Sequence, residues 1–199
     1  SNYIGNTNVQ SSTGSMGIAC GGEVNGSYNY GGNEVTGATI TYNVIDNLVR
    51  AQTFGGTIGI FVANVGSTTG SGPNIIANNT ITRLSAPTAT TGYYVAGIVV
   101  GGGRHSNTKV YYNTINLTGA QSSLNPTFGA IVGGSENTAI VDFRDNIIVN
   151  QCTGSTLNYV YGLGFGAPYV RVTSNYNDLY TSSSPFAVVG GMANTPAGD

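Results

Sequence analysis

The residues with the clearest capacity for chemistry lie together in the segment Asp142-Phe143-Arg144-Asp145. It is the most charged strand neighbourhood of the chain, so it is the first segment to consider as a catalytic site. The alternative is structural: Lys109, Asp142 and Arg171 each stand four residues before a recurring asparagine. Stacked parallel strands would align them as a charge ladder of plus, minus, plus, in which exposed pairs contribute ~0–1 kcal/mol each. We predict the charge ladder and no catalytic residue.

Metal and thiol chemistry receive little support from the residue types. The single histidine, His105, follows a triple glycine and an arginine and has no second histidine or nearby cysteine with which to bind zinc. The two cysteines, Cys20 and Cys152, are four repeats apart, which is ~19 Å along a stack of strands. A disulfide needs Cα atoms within ~7 Å. We therefore predict two free cysteines, no metal and no cofactor.

Tyrosine is abundant, with 13 residues, and tryptophan is absent. Exposed tyrosine rings could stack against sugar rings, whereas tyrosine is also a good strand former that packs along sheets. The candidates for a glycan-facing surface are Tyr93, Tyr94, Tyr111 and Tyr159, with Tyr112 and Tyr161 beside them. Both interpretations stay open from the sequence.

The elements that must position these residues come from an internal repeat, Asn-x-Ile followed about 16 residues later by Gly-Ile. The anchor asparagines are Asn2, Asn43, Asn79, Asn113, Asn146 and Asn175. Their spacing falls from 41 residues (2 to 43) to 29 residues (146 to 175). Most of the variation lies after the Gly-Ile strand, in loops such as 23–36, 66–73 and 101–107 that are rich in turn-forming residues.

The repeat predicts an all-β, right-handed parallel β-helix (β-solenoid) of about six coils, with little or no helix. No segment has a 3.6-residue apolar period, and the apolar runs are short and β-branched. A unit of this length cannot bury its own apolar face and must stack on its neighbours, and parallel crossovers are right-handed. Residues 1–199 are expected to form one such domain, with the anchors stacked as an Asn ladder.

Aligning the repeats on their anchors gives four apolar rows that should face inward. Three residues before the anchor stand Ile40, Ile76, Val110, Phe143 and Val172; two after it stand Ile4, Ile45, Ile81, Ile115 and Ile148. One after the glycine stand Ile18, Ile60, Ile98, Ala130, Leu163 and Val188; three after it stand Cys20, Val62, Val100, Val132 and Phe165. Four rows at constant offsets make this register specific.

The phrases ITYNVI, IIANNTI, VYYNTI, VAGIVVGGG and FGAIVGG resemble right-handed parallel β-helix repeats of the pectate-lyase-like superfamily. They are especially similar to Asn- and Gly-rich, weakly charged secreted bacterial surface proteins. The resemblance covers nearly the whole chain and implies the fold together with an extracellular location. It does not imply one activity, because this scaffold is used by lyases, hydrolases, adhesins and structural segments alike.

The composition argues against some classes of binding partner. Charged residues make up 7% of the chain and the net charge is −2, so we expect no nucleic-acid partner. No run reaches the ~18 apolar residues of a membrane span, so we expect no membrane insertion. The repeat begins at once at Asn2 and the last eight residues show no helix pattern, so we expect open sheet edges at both ends.

Open edges would be explained either by excision from a longer β-helix or by end-to-end pairing of molecules. We predict the second: a non-enzymatic extracellular structural protein of the bacterial cell surface that self-associates head to tail into a filament or surface layer. The alternatives are a polysaccharide-binding or polysaccharide-lyase-like module, and an adhesin fragment that presents the long N-terminal loops to a protein partner.

Overall fold

A computed structural model shows the chain as short β-strands joined by turns. The residues that it describes are 2–9, 14–20, 23–25, 27–29, 35–64, 73–90, 92–102, 107–123, 125–134, 140–155, 157–163, 172–181 and 187–189. Within these ranges there is no helix, and all but two strands belong to three parallel sheets. The chain is a parallel β-solenoid, which confirms the fold class predicted from the repeat.

Each sheet takes one strand from successive turns of the chain. Sheet A consists of β1 (Tyr3–Val9), β6 (Val44–Arg50), β9 (Thr80–Thr82), β12 (Thr114–Leu117), β15 (Ile147–Asn150) and β18 (Asp178–Thr181). Sheet B consists of β2 (Ser15–Cys20), β7 (Thr57–Asn64), β10 (Val95–Gly102), β13 (Thr127–Gly134), β16 (Asn158–Leu163) and β19 (Ala187–Val189). Sheet C consists of β5 (Thr39–Thr41), β8 (Asn74–Ala77), β11 (Asn107–Tyr111), β14 (Ile140–Arg144) and β17 (Val172–Asn175). From β5 onward each turn runs through sheets C, A and B before the next begins.

Three turns have all of their strands paired on both sides within the described residues: β8–β10, β11–β13 and β14–β16. This number is lower than the six coils expected from the repeat. The difference arises because the flanking turns supply the edge strands, which pair on one side only. The expected six is the number of copies of the sequence repeat, whereas the observed three is the number of turns that have a paired turn on each side.

The first long connection contains an element that the sequence did not predict. Residues 23–36 were expected to be a loop, but β3 (Glu23–Asn25) and β4 (Ser27–Asn29) form an antiparallel pair. The expected loops at 66–73 and 101–107 lie largely outside the described residues.

The inward rows form the main core. The row Ile4, Ile45, Ile81, Ile115, Ile148 is in register across sheet A and continues to Leu179. Ile45, Ile81, Ile115 and Ile148 have no exposed surface. The rows from Ile18 to Ala130 and from Cys20 to Val132 are likewise in register across sheet B. These columns are the ones predicted from the repeat.

The predicted register fails from β16 onward. In sheet B, Tyr161 pairs with Ala130 and Leu163 with Val132, so the assignments of Leu163 to the first row and of Phe165 to the second were wrong; Phe165 itself lies outside the described residues. Ala187, not Val188, then pairs with Tyr161. In sheet C, Ser174, not Val172, pairs with Phe143. The shift begins because the step from Asn146 to the glycine position, which Val160 takes, is 14 residues, against 16–18 in the three preceding turns.

Sheet B is buried on both faces. Besides the main core, its other face carries a second apolar cluster. The cluster consists of Ile58, Phe61, Tyr94, Ala96, Val99, Phe128, Ile131 and Tyr159, with Met16 and Leu157 packed against it. Near-continuous apolar runs such as VAGIVV in β10 follow from this burial, because a parallel strand buried on both faces does not alternate with polar residues.

Candidate functional site

The anchor asparagines form a continuous hydrogen-bonded column at the junction of sheets C and A. Nδ2 of Asn43 donates to Oδ1 of Asn79 at 3.0 Å, and the same bond joins Asn79 to Asn113 and Asn113 to Asn146. The backbone N–H groups of these residues donate to the same oxygens at 3.0 Å. The four amides are buried, and Oδ1 of Asn79, Asn113 and Asn146 accepts both bonds from the preceding turn, so these rungs all point the same way.

The predicted column ends at a different residue from the one expected. Asn146 donates to Asn177 at 3.0 Å, not to Asn175. Oδ1 of Asn175 instead accepts a bond from the backbone N–H of Tyr176. The physical reason lies two residues further on: with Asn177 as the anchor, Leu179 falls on the inward row, whereas Asn175 as the anchor would turn the amide of Asn177 into the core.

A left-handed backbone residue precedes each of these anchors. Tyr42, Asn78, Tyr112, Asp145 and Tyr176 have φ between 54° and 57°. Asparagine and aspartate tolerate this conformation, but a bulky tyrosine is an outlier there and costs about 1 kcal/mol. The three tyrosines are also 59–73% exposed. We call this row of five residues the tyrosine ridge.

The ridge is only partly visible in the sequence. Tyr112 stood among the candidate aromatics, but Tyr42 and Tyr176 did not. The signal was a tyrosine directly before the anchor asparagine in ITYN, VYYN and SNYN. Its meaning depends on the left-handed turn, which a strand pattern does not reveal.

The other candidate aromatics do not form an exposed face. Tyr94 and Tyr159 are 2% and 7% exposed and pack in the second apolar cluster. Phe128 lies between them, at ring-centroid distances of 5.7 Å and 5.2 Å. Tyr93 is half-buried against the main core. Of the two interpretations left open by the sequence, packing therefore describes Tyr94 and Tyr159, because the outer face of sheet B is covered and both rings lie within that cluster.

The charged residues around Asp142 form a local hydrogen-bonded cluster and not a three-residue charge ladder. Asp142 accepts hydrogen bonds from the guanidinium of Arg144, two residues on, and from the hydroxyl of Tyr111 on the neighbouring strand. Lys109 does pair in register with Asp142. On the other side Thr173 is its partner. Arg171, the third predicted member of the ladder, lies outside the described residues.

The pKa shifts in this cluster argue against Asp142 as a general base. Burial alone would raise the pKa of Asp142, but hydrogen bonds from Arg144 and Tyr111, together with the charge of Lys109, lower it. Burial and the bond to Asp142 raise the pKa of Tyr111 to about 12. A carboxylate with a lowered pKa and two donors already bound is a weak base at neutral pH. The segment therefore holds β11 to β14.

A second charged cluster, on sheet A, was not foreseen. Asp46 of β6 accepts hydrogen bonds from Arg83 and Thr82 of the following turn. It also accepts one from the hydroxyl of Tyr3, in the preceding turn, at 3.4 Å. The hydrogen bonds from Arg83 are the main cause that lowers the pKa of Asp46, to about 2. The cluster clamps three successive turns, and only the parallel register of the strands brings its members together.

A buried arginine also escaped the sequence analysis. Arg50, at the end of β6, has no exposed surface, and its Nε and Nη2 donate to the carbonyl oxygen of Phe54. Its Nη1 has no hydrogen-bond partner. Burial lowers the pKa of the guanidinium. The contact closes the connection from sheet A to sheet B.

The two thiols and the residue types that bind metals form no site among the described residues. Cys20 and Cys152 are both free, and burial raises the pKa of both, that of Cys152 to about 12. No group of three or more His, Cys, Asp and Glu side chains in the described part of the chain is placed to bind a metal ion. Nor does any helix in those ranges have the length and apolarity needed to cross a membrane. His105 lies outside them.

No protein-family model, curated protein sequence or solved structure matches the chain.

Proposed function

We propose that this chain is a structural β-solenoid subunit that stacks head to tail, through its end turns, into a filament or surface layer on the outside of a bacterial cell. The resemblance of its repeats to Asn- and Gly-rich surface proteins of the pectate-lyase-like superfamily supports the extracellular location.

The observation that carries the proposal is the direction of the Asn ladder. At one end of the ladder, Nδ2 of Asn2 donates to Oδ1 of Asn43 at 3.1 Å. Elsewhere in the ladder the Oδ1 atom accepts from the preceding asparagine, and Oδ1 of Asn2 occupies the equivalent position at this end. At the other end, Nδ2 of Asn177 donates to the hydroxyl of Ser174 at 3.1 Å, where inner rungs donate to the next asparagine. The ladder is thus polar along the solenoid axis: one end presents an acceptor, and at the other end Ser174 of the same turn takes the bond that inner rungs give to the next asparagine. This polarity favours head-to-tail association over head-to-head.

The sheet edges support the same direction. Within the described residues β1, β2 and β5 are the outermost strands at one end, and β17, β18 and β19 at the other. All of these strands run parallel to their neighbours, so a second copy placed on top would continue each sheet in the same sense. Association of this type does not close on itself and leads to fibres.

The composition of the first edge supports it further. Natural proteins protect sheet edges with charged residues, lysine above all. The strands β1, β2 and β5 contain no charged residue. Their edge is therefore suited to strand pairing with another copy.

The test is the size of the purified full chain as a function of concentration, measured by sedimentation velocity and negative-stain microscopy. We expect the assembly to lengthen with concentration. Thr39→Lys places a charge in the edge strand β5 and should keep the protein monomeric. Thr114→Lys is the matched control, because Thr114 is equally exposed but lies in β12, inside sheet A; this variant should assemble like the unmodified chain.

Two outcomes would contradict the proposal. One is an unmodified chain that stays monomeric at every concentration tested. The other is a Thr39→Lys variant that assembles as readily as Thr114→Lys, because it would show that the edge at β5 is not an interface.

A further inference from the structure

We infer that the tyrosine ridge binds an extended, uncharged polysaccharide chain, a function separate from end-to-end assembly. The ridge is the line of Tyr42, Asn78, Tyr112, Asp145 and Tyr176, one residue from each of five successive turns. It follows the outer side of the Asn ladder and runs parallel to the solenoid axis. It does not include the end strands' unpaired edges, so assembly and binding could occur together.

The first argument is the backbone conformation. All five residues have φ near +55°, where asparagine, aspartate and glycine are favoured and tyrosine is strained. Tyr42, Tyr112 and Tyr176 are 62%, 59% and 73% exposed, so burial recovers little of this strain. The ring of Tyr112 does contact that of Tyr111, at a centroid distance of 6.2 Å, but most of its surface stays open. Strained residues that persist with so little burial point to function.

The second argument is the spacing. Adjacent rungs of the solenoid are ~4.8 Å apart, so alternate positions on the ridge, which carry the tyrosines, are ~9.6 Å apart. An extended chain of β-1,4-linked pyranose rings repeats every two sugars at close to this distance. Each tyrosine could therefore stack on every second sugar of one straight chain.

The third argument is the chemistry between the rings. The Asn78 amide lies between Tyr42 and Tyr112, and the Asp145 carboxylate lies between Tyr112 and Tyr176. An amide and a carboxylate can both bond sugar hydroxyls, and a few polar groups placed between aromatic surfaces fix the orientation of a ligand. The nearby cation, Arg144, is already bound to Asp142. An anionic chain would meet Asp145 without a free positive partner on the ridge, so the ligand is an uncharged polysaccharide.

The test uses the full chain with soluble cellohexaose and chitohexaose, measured by calorimetry and by the change in tyrosine fluorescence. Polygalacturonate serves as the anionic comparison. We expect both neutral oligosaccharides, or one of them, to bind and polygalacturonate to bind at least roughly tenfold more weakly.

The decisive variant replaces the three ridge tyrosines: Tyr42→Asn, Tyr112→Asn and Tyr176→Asn together. Asparagine accepts the left-handed conformation, so this variant should fold with a Tm equal to or above that of the unmodified chain, while its affinity for the bound oligosaccharide falls roughly tenfold or more. The control is Tyr180→Asn, at a half-exposed tyrosine of β18 that lies off the ridge; its affinity should be unchanged.

The inference is overturned if neither neutral oligosaccharide binds, if the triple variant binds as tightly as the unmodified chain, or if polygalacturonate binds best. Each of these results is independent of whether the chain forms filaments.

Discussion

At the scale of single residues, the recurring phrase Asn-x-Ile … Gly-Ile is a packing rule between successive turns. A Cβ atom added at Gly17, Gly59, Gly97 or Gly129 would come within 2.2–2.8 Å of the Cγ2 methyl of an isoleucine in the next turn. These isoleucines are the ones two residues after the anchors: Ile45, Ile81, Ile115 and Ile148. A backbone carbonyl oxygen of the next turn lies equally close or closer in most of these cases. The glycine thus leaves room for both the facing backbone and the branched side chain, which explains why the two parts of the phrase occur together.

The one exception supports the rule. In the fifth turn Val160 takes the place of the glycine, and the residue two after the next anchor is Leu179, not isoleucine. Leucine has no branch at Cβ, so the methyl group that excludes a side chain in the other turns is missing here. A valine is therefore tolerated.

This rule predicts the effect of Gly97→Ala. The added methyl would lie 2.6 Å from Cγ2 of Ile115 and 2.4 Å from the carbonyl oxygen of Gly129. Overpacking of this kind costs about 1–3 kcal/mol. We expect a loss of free energy of unfolding in that range, measured by urea denaturation. Adding Ile115→Leu should recover part of it, as at Val160; no recovery would show that the isoleucine methyl is not the excluding group.

At the scale of the strands, polar clamps hold neighbouring turns together across the outer faces. Asp46 is the best example, since its partners Tyr3 and Arg83 lie in the turns on either side. The carboxylate is largely buried, with 13% of its side chain exposed, whereas Arg83 is 56% exposed. Solvent screening of the exposed arginine limits the contribution of this pair to the free energy of unfolding, as at other surface ion pairs.

The clamp predicts a dependence of stability on pH. The folded pKa of Asp46, about 2, lies below the ordinary value for aspartate, so its contribution is complete above pH ~4 and disappears as the pH falls towards 2. Asp46→Asn should lower the Tm by a few degrees at pH 6 and by much less at pH 2. The control is Asp178→Asn, at an exposed aspartate of the same sheet, which should show no such difference. An equal loss at both pH values would contradict the electrostatic origin.

At the scale of the whole molecule, the core occupies the interior of the solenoid and also the outer face of sheet B. Cys152 belongs to the interior cluster and is 5% exposed, while Cys20, in the edge strand β2, is only half-buried. The two thiols therefore differ in their accessibility to solvent.

The two thiols should therefore differ in their rates of reaction with a thiol reagent. Burial raises the pKa of Cys152 to about 12, so at pH 8 its thiolate fraction is roughly a thousandfold below that of a free cysteine. In a Cys20→Ala variant we expect no reaction with a thiol reagent until the protein unfolds in denaturant. The Cys152→Ala variant should react under native conditions. Rapid native labelling of Cys152 would contradict its place in the core.

How far the sequence specified the fold can be judged from particular columns. The row from Ile4 to Ile148 and the Asn ladder from Asn2 to Asn146 follow from constant offsets, because a stack of parallel strands repeats each side-chain direction in every turn. The last turn was misassigned since Asn175 and Asn177 both fit the pattern. Only the packing of Leu179 against the core distinguishes them.

The candidate sites depended more strongly on the tertiary structure. The sequence by itself determined the repeat, its register and the absence of a helical period, because these are properties of local spacing. Only the folded chain decided that Tyr94 and Tyr159 are buried while Tyr42, Tyr112 and Tyr176 are exposed on one line. The reason is that burial of an outer sheet face and the direction of a side chain at a left-handed turn are set by what surrounds them in space, which spacing along the chain does not encode.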